Sequence, residues 1–213
     1  MNDSSHGKKQ KLQRPRSLRA HDKVLDAAAE LFAERGIDGA SIDSIATLSG
    51  VSKATIYKHW ADKKALCLEV LARVHGLDRE PPKFDSGDLL QDLIDFLNYK
   101  PPEELDRLRD RLMPHLIAYA SRDLEFAKTW RSRVMEPGRA RAVLLMQRGI
   151  QKGLLPPDLD MQLGVAMLIG PMAYKHIFRG IAPVPENLAE GVARAFWRAF
   201  AIPVVSPSSK TKR

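Results

Sequence analysis

Apolar positions along this chain recur every three or four residues, the period of a helix buried on one side. Val24, Leu25, Ala28, Leu31 and Phe32 form the first such stripe, with Asp26, Glu30 and Glu34 opposite, predicting a helix over about residues 19–35. Gly36 ends it, and Ile37-Asp38-Gly39 turns the chain into Ser41. Ser41 suits an N-cap, and Asp43 puts negative charge in the following first turn, where the helix dipole favours it. Ile42, Ile45, Ala46 and Leu48 are expected to be the apolar side of this short helix. Gly50 interrupts the pattern and suits the positive φ that helix C-termini often need. Ser52 then caps a second short helix, with Val51, Ala54, Ile56 and Trp60 expected inward and Lys53, Thr55, Tyr57, Lys58 and His59 mostly outward. Asp62 looks like the next N-cap, and the stripe Leu66, Cys67, Val70, Leu71 and Val74 carries a fourth helix to about Gly76.

The turn-rich run Asp78 to Gly87 reads as a boundary, and everything beyond it is helical in pattern. Helices are predicted over about 88–99 and 103–121, with Pro114 expected to break or kink the second. Another runs from Asp123 toward Met135, and Pro137-Gly138 is expected to interrupt it before the pattern resumes to Gly153. The last two span about 158–179 and 186–201. The first of these is apolar nearly all round, so it should be covered on both sides, one of them by a partner subunit.

Two short helices joined by a tight Gly-containing turn suggest a helix-turn-helix, whose second helix enters the major groove. The outward mixture of cations, hydroxyls, an aromatic and an imidazole suits phosphates and base edges. A surface helical hairpin with solvated charges is the alternative on spacing alone. Lys53 and Thr55 are the candidates for base contacts, and Tyr57, Lys58, His59 and Lys63 for phosphates. Tyr57 also has a surface suited to a thymine methyl, and Ser41 is a further phosphate candidate.

The runs AAAELFAERG (27–36) and GASIDSIATLSGVSKATIYKHWADKKAL resemble the DNA-binding domain of the tetracycline-repressor (TetR) family over roughly residues 22–71. The most specific part, GVSKATIYKHWADKKAL, is similar to the family's Gly-Val-Ser-x-Gly-x-Leu-Tyr-x-His-Phe-x-x-Lys-x-x-Leu pattern, with Ala54 where Gly is common and Trp60 where Phe is usual. The resemblance implies that Lys63 holds a DNA phosphate and that the fourth helix links the DNA-binding head to the body. It also implies that two C-terminal helices per subunit form a four-helix dimer interface. Asp43 faces DNA in that arrangement, where its carboxylate would reject phosphate or accept from a cytosine N4.

The formal charge is +8, but residues 1–23 carry +5 and residues 203–213 carry +3, leaving the intervening body at zero. DNA affinity of the body therefore depends on local placement of charge, and the basic arm, residues 1–18, is expected to be disordered. The longest apolar stretch, Leu163 to Tyr174, falls short of the ~20 residues that span a bilayer. No signal-peptide segment stands at the start, and Cys67 is the single cysteine, which fits a reducing compartment. A soluble, cytoplasmic protein is expected. Enzyme readings find no P-loop, no dinucleotide motif and no metal-ligand spacing. No cofactor and no metal are therefore expected.

The resulting expectation is an all-α protein with a basic arm (1–18), a helix-turn-helix DNA-binding domain with its linking helix (19–76), a helical effector-binding and dimerisation domain (84–202) and a basic tail (203–213). Its expected partners are palindromic double-stranded DNA, a small-molecule effector and a second copy of itself, as a repressor. Met113, Tyr119, Phe126, Trp130, Met146, Met172 and His176 are candidate pocket residues, since methionines and aromatics suit a cavity that repacks around apolar ligands. Plain core is the alternative for each. The alternative function is a constitutive or architectural DNA-binding protein whose body only dimerises.

Overall fold

A computed structural model describes residues 16–179, 181 and 183–203, and all regular structure among them is helical. The N-terminal helices are α1 (Arg16–Gly39), α2 (Ile42–Ser49), α3 (Lys53–His59) and α4 (Lys63–Val74). The body adds α5 (Leu89–Asn98), α6 (Glu103–Ala120), α7 (Leu124–Trp130), a π-helical turn (Arg131–Met135), α8 (Glu136–Gln151), α9 (Met161–Phe178) and α10 (Leu188–Phe200). Side-chain caps set many of the starts. Asp62 accepts from the Ala65 amide, Asp88 from Leu90 and Gln91, Asp123 from Phe126, and Asp160 from Gln162 and Leu163. Each satisfies amides that a helix N-terminus leaves without an internal partner.

Several expectations are corrected. The first helix begins at Arg16, three residues inside the arm expected to be disordered, and it continues to Gly39 past an interruption at Gly36 (φ 74°). The rest of that arm (1–15) and most of the basic tail (204–213) lie outside the described residues. Pro137-Gly138 does not interrupt the chain's helical course. Pro137 falls in the first turn of α8, where a missing amide donor costs little, and the irregularity lies upstream in the π-helical turn. Pro114 likewise sits within an uninterrupted α6.

The buried apolar side chains form two clusters that do not divide at the turn-rich run 78–87. One cluster joins α1–α4 to α6, α7 and the π-helical turn, through Leu108, Leu112, Met113, Leu116, Phe126, Trp130 and Val134. The other joins α5, α8, α9 and α10 around Leu93, Met146, Leu168 and Phe196. α6 runs against α1 and also touches α4 and α9, so it belongs to the head by packing and to the body by sequence. Gly149 allows α8 its close approach to α5. A Cβ there would stand 2.5 Å from Leu89 Cδ2 and 2.6 Å from Leu155 Cδ1. Arg148 fastens the preceding loop, donating to the Phe84 carbonyl at 2.7 Å and pairing with Asp85 and the buried Asp92.

Candidate nucleic-acid interface

The geometry of α2 and α3 follows from their short polar side chains. Ser41 Oγ accepts from the Ser44 amide (3.0 Å) while Ser44 Oγ accepts from the Ser41 amide (3.1 Å), a reciprocal capping box. Gly50 closes α2 in the left-handed region (φ 66°, ψ 22°). Ser52 Oγ accepts from the Thr55 amide at 3.2 Å and sits 2.9 Å from Thr55 Oγ1. Ile45, Ile56 and Trp60 are buried and hold both helices against α1.

The outward side is as expected for most residues. Lys53, Tyr57, Lys58 and His59 are exposed, and Thr55 is half-buried. Two apolar assignments were wrong. Leu48 is 58% exposed, because the buried stripe of α2 runs Ile42, Ile45, Ala46, Ser49 and position 48 falls outside it. The regular spacing of 42, 45, 46 and 49 was the signal that would have found this. Ala54 is exposed beside Lys53, leaving an opening in the outer surface of α3 where a larger side chain would project.

Lys53 and Lys63 are already engaged within the protein. Lys53 Nζ lies 2.7 Å from Asp43 Oδ1, joining the start of α3 to the first turn of α2. The hydrogen bond and charge of Asp43 raise the Lys53 pKa further above neutrality. Lys63 Nζ donates to the Ala40 carbonyl at 2.9 Å and the Asp38 carbonyl at 3.2 Å, so it braces the turn after α1. His59 meets the His21 ring edge-on at 5.6 Å, and His21 stacks on Trp60 at 4.7 Å. Glu69 accepts from Trp60 Nε1 (2.6 Å) and pairs with His21 Nε2 (2.9 Å), fixing the end of α3 to α1 and α4. Cys67 is fully buried, and desolvation pushes its thiol up to about 12, which keeps it protonated and structural.

The seven pocket candidates are not brought together. Met113, Phe126 and Trp130 are buried in the first cluster, with Tyr119 packed on it and edge-on to Phe126 at 4.9 Å. Met146 and Met172 belong to the second. His176 belongs to neither apolar cluster. Its Nδ1 lies 2.6 Å from Asp110 Oδ1, in an ionic group that also holds Arg179, Asp106 and Arg109 between α6 and α9. Burial opposes the Asp110 charge, yet hydrogen bonds and charge from His176 and Arg179 hold its carboxyl below the ordinary range. Two surface grooves, of 370 Å³ around Tyr174 and Pro183–Leu188 and of 610 Å³ between α1 and α4, are lined by none of the seven.

Comparison with known proteins gives this geometry a setting. Residues 24–70 match the model of the bacterial regulatory proteins of the tetR family, and residues 84–196 match the tetracyclin repressor-like C-terminal domain. The chain is 33% identical over 183 residues to the HTH-type transcriptional regulator YdeS of Bacillus subtilis, covering 86% of this chain and 91% of that one.

The chain belongs to the TetR family of transcriptional regulators.

It is also 29% identical over 140 residues to the DNA-binding transcriptional repressor TetR of Mycobacteroides abscessus, covering 66% of this chain and 73% of that one. The fold is shared with a TetR-family regulator from Rhodococcus sp., at a TM-score of 0.63 and 19% identity, covering 85% and 96% of the two chains. α2 and α3 lie within the residues 24–70 that match the family's N-terminal model. No described helix is long and apolar enough to cross a membrane.

Proposed function

We propose that the protein is a dimeric repressor that binds a palindromic operator through α3 and is released by a small, mainly hydrophobic ligand. The observation that carries this reading is the two-sided recognition helix. Ile56 and Trp60 are anchored in the core while Lys53, Tyr57 and Lys58 stand exposed around the small Ala54. Lys53 and Thr55 are assigned to base edges; Ser41, Tyr57, Lys58, His59 and Lys63 are assigned to phosphates. Lys63 exchanges two neutral carbonyls for an anion on binding, and Ser41 offers only what its capping box leaves free.

Dimerisation is supported by what α9 and α10 leave uncovered. Leu163, Ala166, Gly170, Tyr174 and Phe178 form one exposed stripe on α9, and Gly191, Ala195 and Ala199 form a stripe of small residues on α10. Spacings of three and four keep each stripe on one helical side, and small residues let a second copy approach closely. The effector reading narrows to Met113, Tyr119, Phe126 and Trp130, which share their cluster with the head. Trp130 Nε1 is buried without an acceptor there. A ligand carrying an acceptor would satisfy it, recovering the roughly 1–3 kcal/mol that a buried orphan donor costs. The separation of Met146 and Met172, in the second cluster, and of His176, paired with Asp110, from these four favours the alternative, in which the body only dimerises.

The test is selection of genomic DNA fragments by the purified protein, with a Lys53→Ala/Thr55→Ala control. One palindromic site recovered by the natural protein and lost by the control is the expected result. Weak, salt-sensitive recovery of all fragments by both proteins would instead establish an architectural role. Single substitutions separate the assigned roles. Lys63→Ala should weaken binding to every sequence and lower the salt slope by ~1, and Thr55→Ala should relax preference at one position. An unchanged slope in Lys63→Ala would confine Lys63 to bracing the turn after α1.

A further inference from the structure

We propose that Asp43 and Lys53 act as one reading unit, which selects a G·C base pair in each half-site of the operator. This rests on the operator-binding reading above and adds to it the chemical identity of one position. Lys53 is the first residue of α3, and the N-terminal residues of a recognition helix are those that reach base edges. Its ammonium lies 2.7 Å from Asp43 Oδ1, with the two side chains 55% and 75% exposed. Packing therefore does not force the pair together. It presents a donor-only group beside an acceptor-only group, on the surface of two helices that approach DNA together.

The electrostatics make a purely backbone role unfavourable. An ammonium alone on this surface would bind any phosphate within reach. With Asp43 attached, the pair is neutral, and drawing Lys53 to a phosphate would leave a bare carboxylate facing a polyanion. Asp43 is compatible with bound DNA where it meets a hydrogen-bond donor, and base edges supply donors where phosphates do not. In the major groove a guanine offers N7 and O6 side by side as acceptors, and its cytosine offers the N4 amino group as a donor. Lys53 on guanine O6/N7 and Asp43 on cytosine N4 satisfy both members without separating them widely. An A·T pair lacks the two adjacent purine acceptors that suit the ammonium, and its thymine methyl has no use for either charge. The Asp43 backbone is held independently, since its carbonyl accepts from Thr47 Oγ1 at 2.9 Å. Changing the side chain at this exposed position should leave α2 folded.

The experiment is selection from a randomised operator library with the full chain, comparing the natural protein with Asp43→Asn, Asp43→Ala and Lys53→Ala. The natural protein should select G·C at one position per half-site, by roughly 5- to 150-fold over the other pairs. Lys53→Ala should lose that preference. Asp43→Asn should move it toward A·T, because a carboxamide pairs with adenine N6 and N7. Asp43→Ala should bind non-specific DNA more tightly than the natural protein and discriminate less at that position. If Asp43→Asn and Asp43→Ala raised affinity for all sequences and left every base preference intact, Asp43 would be an electrostatic brake and the proposal would be overturned. A natural protein that selected no site would overturn the operator-binding reading itself, an outcome distinct from a selected site whose preferences ignore Asp43.

Discussion

Leu112→Ala is expected to destabilise the DNA-binding head and the first part of the body together, by about 2–5 kcal/mol, the range for emptying a fully buried leucine site. Leu112 lies on α6, outside the segment 24–70 that matches the family's N-terminal model, yet it is completely buried with Phe32, Leu66 and Leu71. The cavity would open inside a core shared by α1, α4 and α6. Amides of α1 and α4 should therefore lose hydrogen-exchange protection along with those of α6, although no residue of the head has changed. Leu93→Ala provides the contrast, because Leu93 is equally buried but in the second cluster. It should loosen α5, α8 and α10 first. Undiminished protection of α1 and α4 in Leu112→Ala would show that the head is stabilised on its own.

The second large effect is expected at the α9–α10 surface. Ala195→Glu should convert the proposed dimer to a monomer and weaken operator binding by about 100-fold or more, since one recognition helix makes too few contacts for specific affinity. Ala195 is exposed within one subunit and lies in the stripe of small residues on α10, so the folded protomer should tolerate the change. In a two-fold interface the substitution appears on both sides of the axis, placing two unpaired carboxylates in an apolar contact. Sedimentation equilibrium and operator titration would measure the two consequences, with the unfolding transition of the protomer as a control. A variant that sediments as a dimer and binds with natural affinity would place the subunit contact elsewhere.

The local structure of α2 and α3 is largely legible in the sequence. Ser41, Gly50, Ser52 and Asp62 have local roles as caps and a turn residue, set by neighbours within three positions, and all four behave as expected. Ile56 and Trp60 are buried and Lys53, Tyr57 and Lys58 exposed because one side of α3 is apolar. Leu48 and Ala54 were misplaced for a related reason. On helices of seven or eight residues, a single apolar side chain says little about the direction of the stripe unless the regular spacing is followed strictly. The π-helical turn after Trp130 left no clear signal, and Pro137-Gly138 drew the expected break several residues too far along the chain.

The sequence by itself determined which segments are helices, where most of them start and stop, and that Lys53, Tyr57, Lys58 and His59 of α3 face outward. Each of these depends on interactions within a turn or two of the same chain. Only the tertiary structure decided that Lys53 is tied to Asp43, that Lys63 braces the carbonyls of Asp38 and Ala40, and that His176 joins Asp110. It alone assigned α6 to the core of the head and set Met113, Tyr119, Phe126 and Trp130 apart from Met146 and Met172. Helical periodicity marks which side of a helix is buried and carries no label for what buries it. That partner is set by how the helices cross, through contacts between residues far apart in the chain.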